Sequence, residues 1–62
     1  MRYGELKRLL QKSGCRMLRE GSNHELWESP LTGKVFPVSR HSSQEVNVKT
    51  LYSIVKQSGI KL

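Results

Sequence analysis

Apolar residues recur at two different spacings along this chain, and the changes of spacing set out its elements. From Glu5 to Ser13 the apolar positions are Leu6, Leu9 and Leu10, with Tyr3 just upstream. That is the i, i+3, i+4 spacing of one stripe on a short helix. Lys7, Arg8, Gln11 and Lys12 fill its polar side, and Gly14 follows where a helix-terminating glycine belongs. From Cys15 to Glu20 the pattern alternates, with Cys15, Met17 and Arg19 on one side and Arg16, Leu18 and Glu20 on the other, which predicts a strand. Gly21-Ser22-Asn23 reads as a turn, because Gly and Asn both tolerate positive φ. A second strand runs from His24 to Glu28, with Leu26 on the face of His24 and Trp27 on the opposite face. Ser29 to Gly33 forms a second turn, and Lys34 to Val38 a third strand. Pro37 inside it points to an edge position, since proline cannot donate to a ladder. Two short turns in succession give an antiparallel meander. Ser42-Ser43-Gln44-Glu45 has the form of a capping box, Ser at the cap and Glu three residues on. Behind it Val48, Leu51, Tyr52 and Val55 trace a helical stripe that Val46 and Ile54 widen, and Gly59 ends it, leaving Ile60 to Leu62 to trail off.

The order helix, strand, strand, strand, helix predicts an α+β fold with a three-stranded antiparallel sheet. Each helix has one apolar stripe, so the economical packing puts both on one sheet face and leaves the other wet. This is the arrangement of a double-stranded-RNA-binding domain, compressed. A chain of 62 residues makes one domain, residues 1–62, and its 35% apolar content suffices for one thin two-layer core. Cys15 stands alone, which excludes an intramolecular disulfide, leaves a structural zinc short of ligands and fits a reducing compartment. No apolar run follows Met1, and no segment approaches the roughly 20 apolar residues that cross a bilayer. The expectation is a soluble cytoplasmic protein with no membrane partner.

Charge narrows the partner. Eleven Lys and Arg face five acids, none of them Asp, for a net charge of +6 and a pI near 10.0. From Val46 onward there are three lysines and no acid. Against that background His24 directly follows the Gly21-Ser22-Asn23 turn, and histidine both takes and gives protons near neutral pH. A proton shuttle on a positive surface suits a phosphodiester polymer with its own internal nucleophile, which is RNA. Arg16, Arg19, Lys34 and Arg40 are candidate contacts to an RNA backbone, or simply solvated charges. Ser22 and Asn23 form the turn or hold the scissile phosphate. His41 is a loop residue, a second proton carrier or a phosphate contact, with Arg40 and the free N–H groups of the second helix completing an anion seat. Trp27 and Phe36 either stack on bases from the open sheet face or belong to the core. The second helix lacks the dense lysine run by which full-size double-stranded-RNA-binding domains grip phosphates.

Taken together, the first helix running into Gly14, the Gly21-Ser22-Asn23-His24 turn, the Val38-Ser39-Arg40-His41 segment and the ending Lys56-Gln57-Ser58-Gly59-Ile60 resemble the HicA toxins, over nearly the whole length. The resemblance implies the small ribonuclease of a bacterial toxin–antitoxin pair: an mRNA cleaver that needs no metal or other cofactor and uses His24. It also implies a HicB-like antitoxin that masks the basic face near His24, where an acidic segment would be favoured. In the implied mechanism neutral His24 takes the proton of a ribose 2′-OH, which attacks the adjacent phosphate; an internal nucleophile lets a very small protein catalyse. Many HicA toxins place the histidine directly after the serine, whereas Asn23 intervenes here; a bulge at Asn23 would restore the side-chain direction. Cys15 stands where an aromatic residue is frequent and reads as a small core residue. Two other classes compete: a non-catalytic RNA-binding module of the same fold, and an adaptor that binds only protein.

Overall fold

The computed structural model describes residues 1–62. Its elements are α1 (Tyr3–Lys12), β1 (Arg16–Glu20), β2 (His24–Glu28), β3 (Val35–Ser39) and α2 (Val48–Ser58). The strands pair antiparallel in the order β1-β2-β3, and the predicted α-β-β-β-α architecture is the one observed. β3 is an edge strand, as Pro37 requires.

Three registers fix the two faces of the sheet. Met17 pairs with Trp27 and Trp27 with Phe36, while Glu25 pairs with Val38. Directly opposed residues share a face, so these side chains lie together against the helices. Trp27, Phe36 and Val38 are buried there with Leu6 and Leu10 of α1 and Ile54 of α2. Of the two readings of Trp27 and Phe36, the core one holds for both and base stacking is excluded, as a chain this short needs its large apolar groups inside. The other face carries Arg16, Arg19, His24, Leu26, Glu28, Val35, Pro37 and Ser39, of which Arg16, Arg19, His24, Leu26, Val35 and Pro37 are exposed.

Several local expectations shift. α1 begins at Tyr3 rather than Glu5, because Tyr3 is buried and the Glu5 carboxylate reaches back to the Arg2 N–H at 3.4 Å. Gly14 follows it at φ +90 and Gly59 ends α2 at φ +75, two places where the left-handed region favours glycine. β1 starts at Arg16, β3 runs one residue later than expected, and every residue of β1 is exposed. The regular alternation read there is broken, because the register shifts between Met17 and Arg19 and leaves Leu18 as a bulge.

The second helix departs most. Ser42 and Glu45 do not cap it. The Ser42 carbonyl accepts from the Gly4 N–H, its hydroxyl accepts from Lys7 Nζ at 3.4 Å, and Glu45 pairs with the N-terminal amine at 3.2 Å. Asn47 is the cap, its Oδ1 accepting from the Lys49 N–H at 2.9 Å. The buried stripe is Leu51, Ile54, Val55 and Ser58, whereas Val48 and Tyr52, read as core-facing, are exposed. Val46 is buried ahead of the helix, and Ile60 does not trail off but closes the core at 4% exposure. The far end of α2 is held by the second turn. Ser29 Oγ donates to the Ser58 carbonyl, and Thr32 Oγ1 donates to that of Gln57, satisfying carbonyls that a helix terminus leaves open.

The cap assignment is testable by urea denaturation. Asn47→Ala should cost about 1 kcal/mol. Ser42→Ala, which removes only a long contact from an exposed serine to Lys7, should cost less than about 0.5 kcal/mol.

Candidate nucleic-acid interface

The hairpin joining β1 to β2 presents the candidate imidazole. Glu20 pairs with Glu25, and the Gly21 N–H donates to the His24 carbonyl at 2.7 Å, closing the turn. No residue from Gly21 to Asn23 has a positive φ, contrary to the sequence reading. Gly21 is favoured for a different reason, since a Cβ there would sit 3.0 Å from the His24 carbonyl oxygen, a tight approach to backbone. No bulge occurs at Asn23. The one bulge lies across the hairpin at Leu18, and His24 opens β2 in regular register opposite Ser39. By the parity of β2 this places His24 with Leu26 on the face away from the helices, exposed to solvent.

Arg40 anchors this turn from β3's far end. Its Nη1 donates to the carbonyls of Ser22 at 3.0 Å and Gly21 at 3.3 Å, and its backbone N–H donates to Asn23 at 3.3 Å. Nη2 lies 3.8 Å from Glu20 Oε1. The guanidinium thus holds the loop that carries His24, and it spans the turn instead of facing an anion seat on α2. That seat is not formed. α2 begins at Val48, away from His41, which is exposed with its N–H turned to Ser39 Oγ at 3.2 Å. Ser22 and Asn23 are exposed on the turn.

The remaining basic candidates divide by partner. Arg16 is paired with Glu28 at 3.1 Å beside it on the open face. Arg19 and Lys34 are exposed and have no carboxylate within ion-pairing distance. The open face therefore offers Arg19 as its free cation, next to the exposed apolar surface of Leu26 and Pro37 with which it is in register.

A cleft of about 480 Å³ lies elsewhere, on the helix side of the sheet between α1 and the β1–β2 pair, and His24 does not line it. At its wall Lys7 Nζ meets Glu25 Oε1 at 3.2 Å, and the Trp27 indole Nε1–H donates to the same oxygen at 3.0 Å. Both charged side chains are largely buried, at 13% and 12% exposure. Sequence reading missed this group. Its signal was an acid, Glu25, at the strand parity that Trp27 assigns to the core. No group of His, Cys or Glu side chains is close enough to hold a metal ion, and no helix is long and apolar enough to cross a membrane.

Comparison with known families matches residues 3–60 to the HicA toxin of bacterial toxin–antitoxin systems. The chain belongs to the HicA toxin family. It is thus a toxin of a toxin–antitoxin pair, and a partner that restrains it follows from that membership. No curated protein and no solved structure matches it. Within a HicA toxin of this build, the Gly-Ser turn is a stage for the first residue of β2, and Arg40 is what keeps the stage in place.

Arg40→Ala should accordingly speed amide hydrogen exchange at Gly21 while leaving Trp27 and Phe36 protected, at a stability cost of about 1 kcal/mol.

Proposed function

We propose that this HicA toxin is an endoribonuclease that cleaves mRNA in the cytoplasm, and that a HicB-like antitoxin silences it by covering the open sheet face around His24. The observation that carries this reading is the placement of His24: an exposed imidazole, on an anchored turn, on the wet face of a chain with net charge +6. Ser22 and Asn23 flank the scissile phosphate, and Arg16, Arg19, Lys34 and Arg40 hold the strand. Arg16 and Arg40 do so while ion-paired with the carboxylates of Glu28 and Glu20 respectively.

In the proposed reaction Nε2 or Nδ1 of neutral His24 takes the proton of a ribose 2′-OH. The 2′ oxygen bonds to the adjacent phosphorus, the P–O5′ bond breaks, and the imidazolium returns the proton to the departing 5′ oxygen. The products are a 2′,3′-cyclic phosphate and a 5′-hydroxyl. Because the nucleophile belongs to the substrate and starts near the phosphorus, the protein has only to fix the strand and move one proton. His41, exposed just beyond β3, contributes a phosphate contact. An acidic antitoxin segment would be drawn to the same face by complementary charge.

The test is cleavage of end-labelled mRNA by the purified chain in the presence of EDTA. Cyclic-phosphate products are expected. His24→Ala should lower the rate by at least about 100-fold with an unchanged circular-dichroism spectrum, and His41→Ala by about tenfold. RNA retarded but intact would make the chain a binding module instead. RNA of unaltered mobility at low salt would leave only a protein-binding role.

A further inference from the structure

The cleft on the helix side of the sheet holds a carboxylate with one oxygen committed and the other free. Glu25 Oε1 accepts from the Trp27 indole at 3.0 Å and faces Lys7 Nζ at 3.2 Å. Oε2 has no hydrogen-bond partner, and since no buried side-chain oxygen in the chain lacks one, Oε2 keeps access to solvent on a residue that lines the cleft. The committed side fixes the orientation. Lys7 is itself held from behind by Ser42 Oγ at 3.4 Å, and Trp27 is locked in the core at 3% exposure. Gln11, exposed, rims the opening, and Met17 supplies an apolar wall in register with Trp27.

We infer that this cleft receives a nucleobase bearing an exocyclic amine, turned out from a single strand, with Glu25 Oε2 accepting from the amine. A fixed acceptor reads a donor, and cytosine, adenine and guanine each present an amino group at an edge. Uracil presents one N–H between two carbonyls, which a carboxylate repels. Gln11 supplies a donor for an acceptor atom beside the amine. Bases splayed from single-stranded RNA are read by hydrogen bonds to their edges. The inference rests on RNA being the substrate and adds to that reading a base-selecting site. His24 and Glu25 are consecutive on β2, so the proton carrier and the base reader project from opposite faces of the same strand end.

Trp27 is the chain's single tryptophan, so its indole N–H gives one NMR resonance that reports directly on Glu25. The intact chain is titrated with the 5′-monophosphates of cytidine, adenosine, guanosine and uridine, with inorganic phosphate as control. These lack a cleavable internucleotide bond, so the readout is independent of catalysis. The three amino-bearing nucleotides should shift the indole resonance saturably, with uridine monophosphate at least roughly tenfold weaker. In Glu25→Gln the amide oxygen stays toward Trp27 and Lys7 and the NH₂ takes the free position. That variant should therefore bind uridine monophosphate better than the amino-bearing three. Gln11→Ala, an exposed change that leaves the fold intact, should weaken the amino-bearing nucleotides several-fold. Equal responses to all four nucleotides, a response matched by phosphate alone, or no response would overturn the inference. RNA cleavage by a chain that gives no such shifts would discard the base site and leave the nuclease reading standing. Indole shifts in a chain that does not cleave would do the reverse.

Discussion

The register of β2 is the constraint on which the rest depends. In five residues it sends Trp27 and Glu25 toward the helices and His24 and Leu26 away from them. A slip of one residue would exchange the two sets, burying an imidazole and exposing the indole. The register is specified from both ends. Trp27 sits between Met17 and Phe36 in a core that also includes Leu6, Leu10 and Ile54. Glu25 is tied by Lys7 to α1, so a charged pair crosses from helix to sheet where a purely apolar contact would be indifferent to sliding. Removing either partner would leave the other's charge largely buried without a counter-charge, which is costly.

With β2 fixed, the polar ties around it explain how so few residues hold two helices. α2 is moored at its C-terminal end by Ser29 and Thr32 of the second turn and at its start by Asn47. α1 is bound to the segment before α2 through the Tyr3 and Gly4 N–H groups, which donate to Gln44 and Ser42, and through the Arg2–Glu45 bridge. None of these ties touches the open sheet face. That face keeps Arg19 and His24 exposed and outside the ties that hold the fold.

Much of this was legible in the sequence. The two-residue period around Trp27 and the three-to-four-residue period around Leu6 and Leu10 are strong signals, and the turns between the strands punctuate them. Membership in the HicA toxin family rests on residues spread along nearly the whole chain, and the family match bears it out. What failed did so for physical reasons. A capping box is a local pattern, and at Ser42 and Glu45 tertiary partners, Gly4 and the N-terminal amine, outcompeted it. Tyr52 and Val48 fit a helical stripe, but the true stripe is turned around the axis toward Ile54 and Ser58, because a buried serine bonded to the Val55 carbonyl, which also bonds the Gly59 N–H, is invisible to hydropathy. The bulge at Leu18 carries neither Gly nor Pro to announce it. Arg40 was legible as a cation near the site but not as the clamp of the turn, since that depends on β3 ending beside Asn23. Glu25 was legible only as an anomaly.

The most direct test of this account is where a nucleic-acid strand lands on the sheet. A 2′-O-methyl RNA oligomer lacks the internal nucleophile and is not cleaved, so it can be added to the isotope-labelled chain and the two histidine imidazoles followed by NMR. The ring resonances of His24 should move with the amides of Arg19 and Leu26 on the open face, with shifts that diminish as salt is raised. Shifts confined to the exposed side of α2 around Val48 and Tyr52, with the His24 ring unmoved, would contradict it.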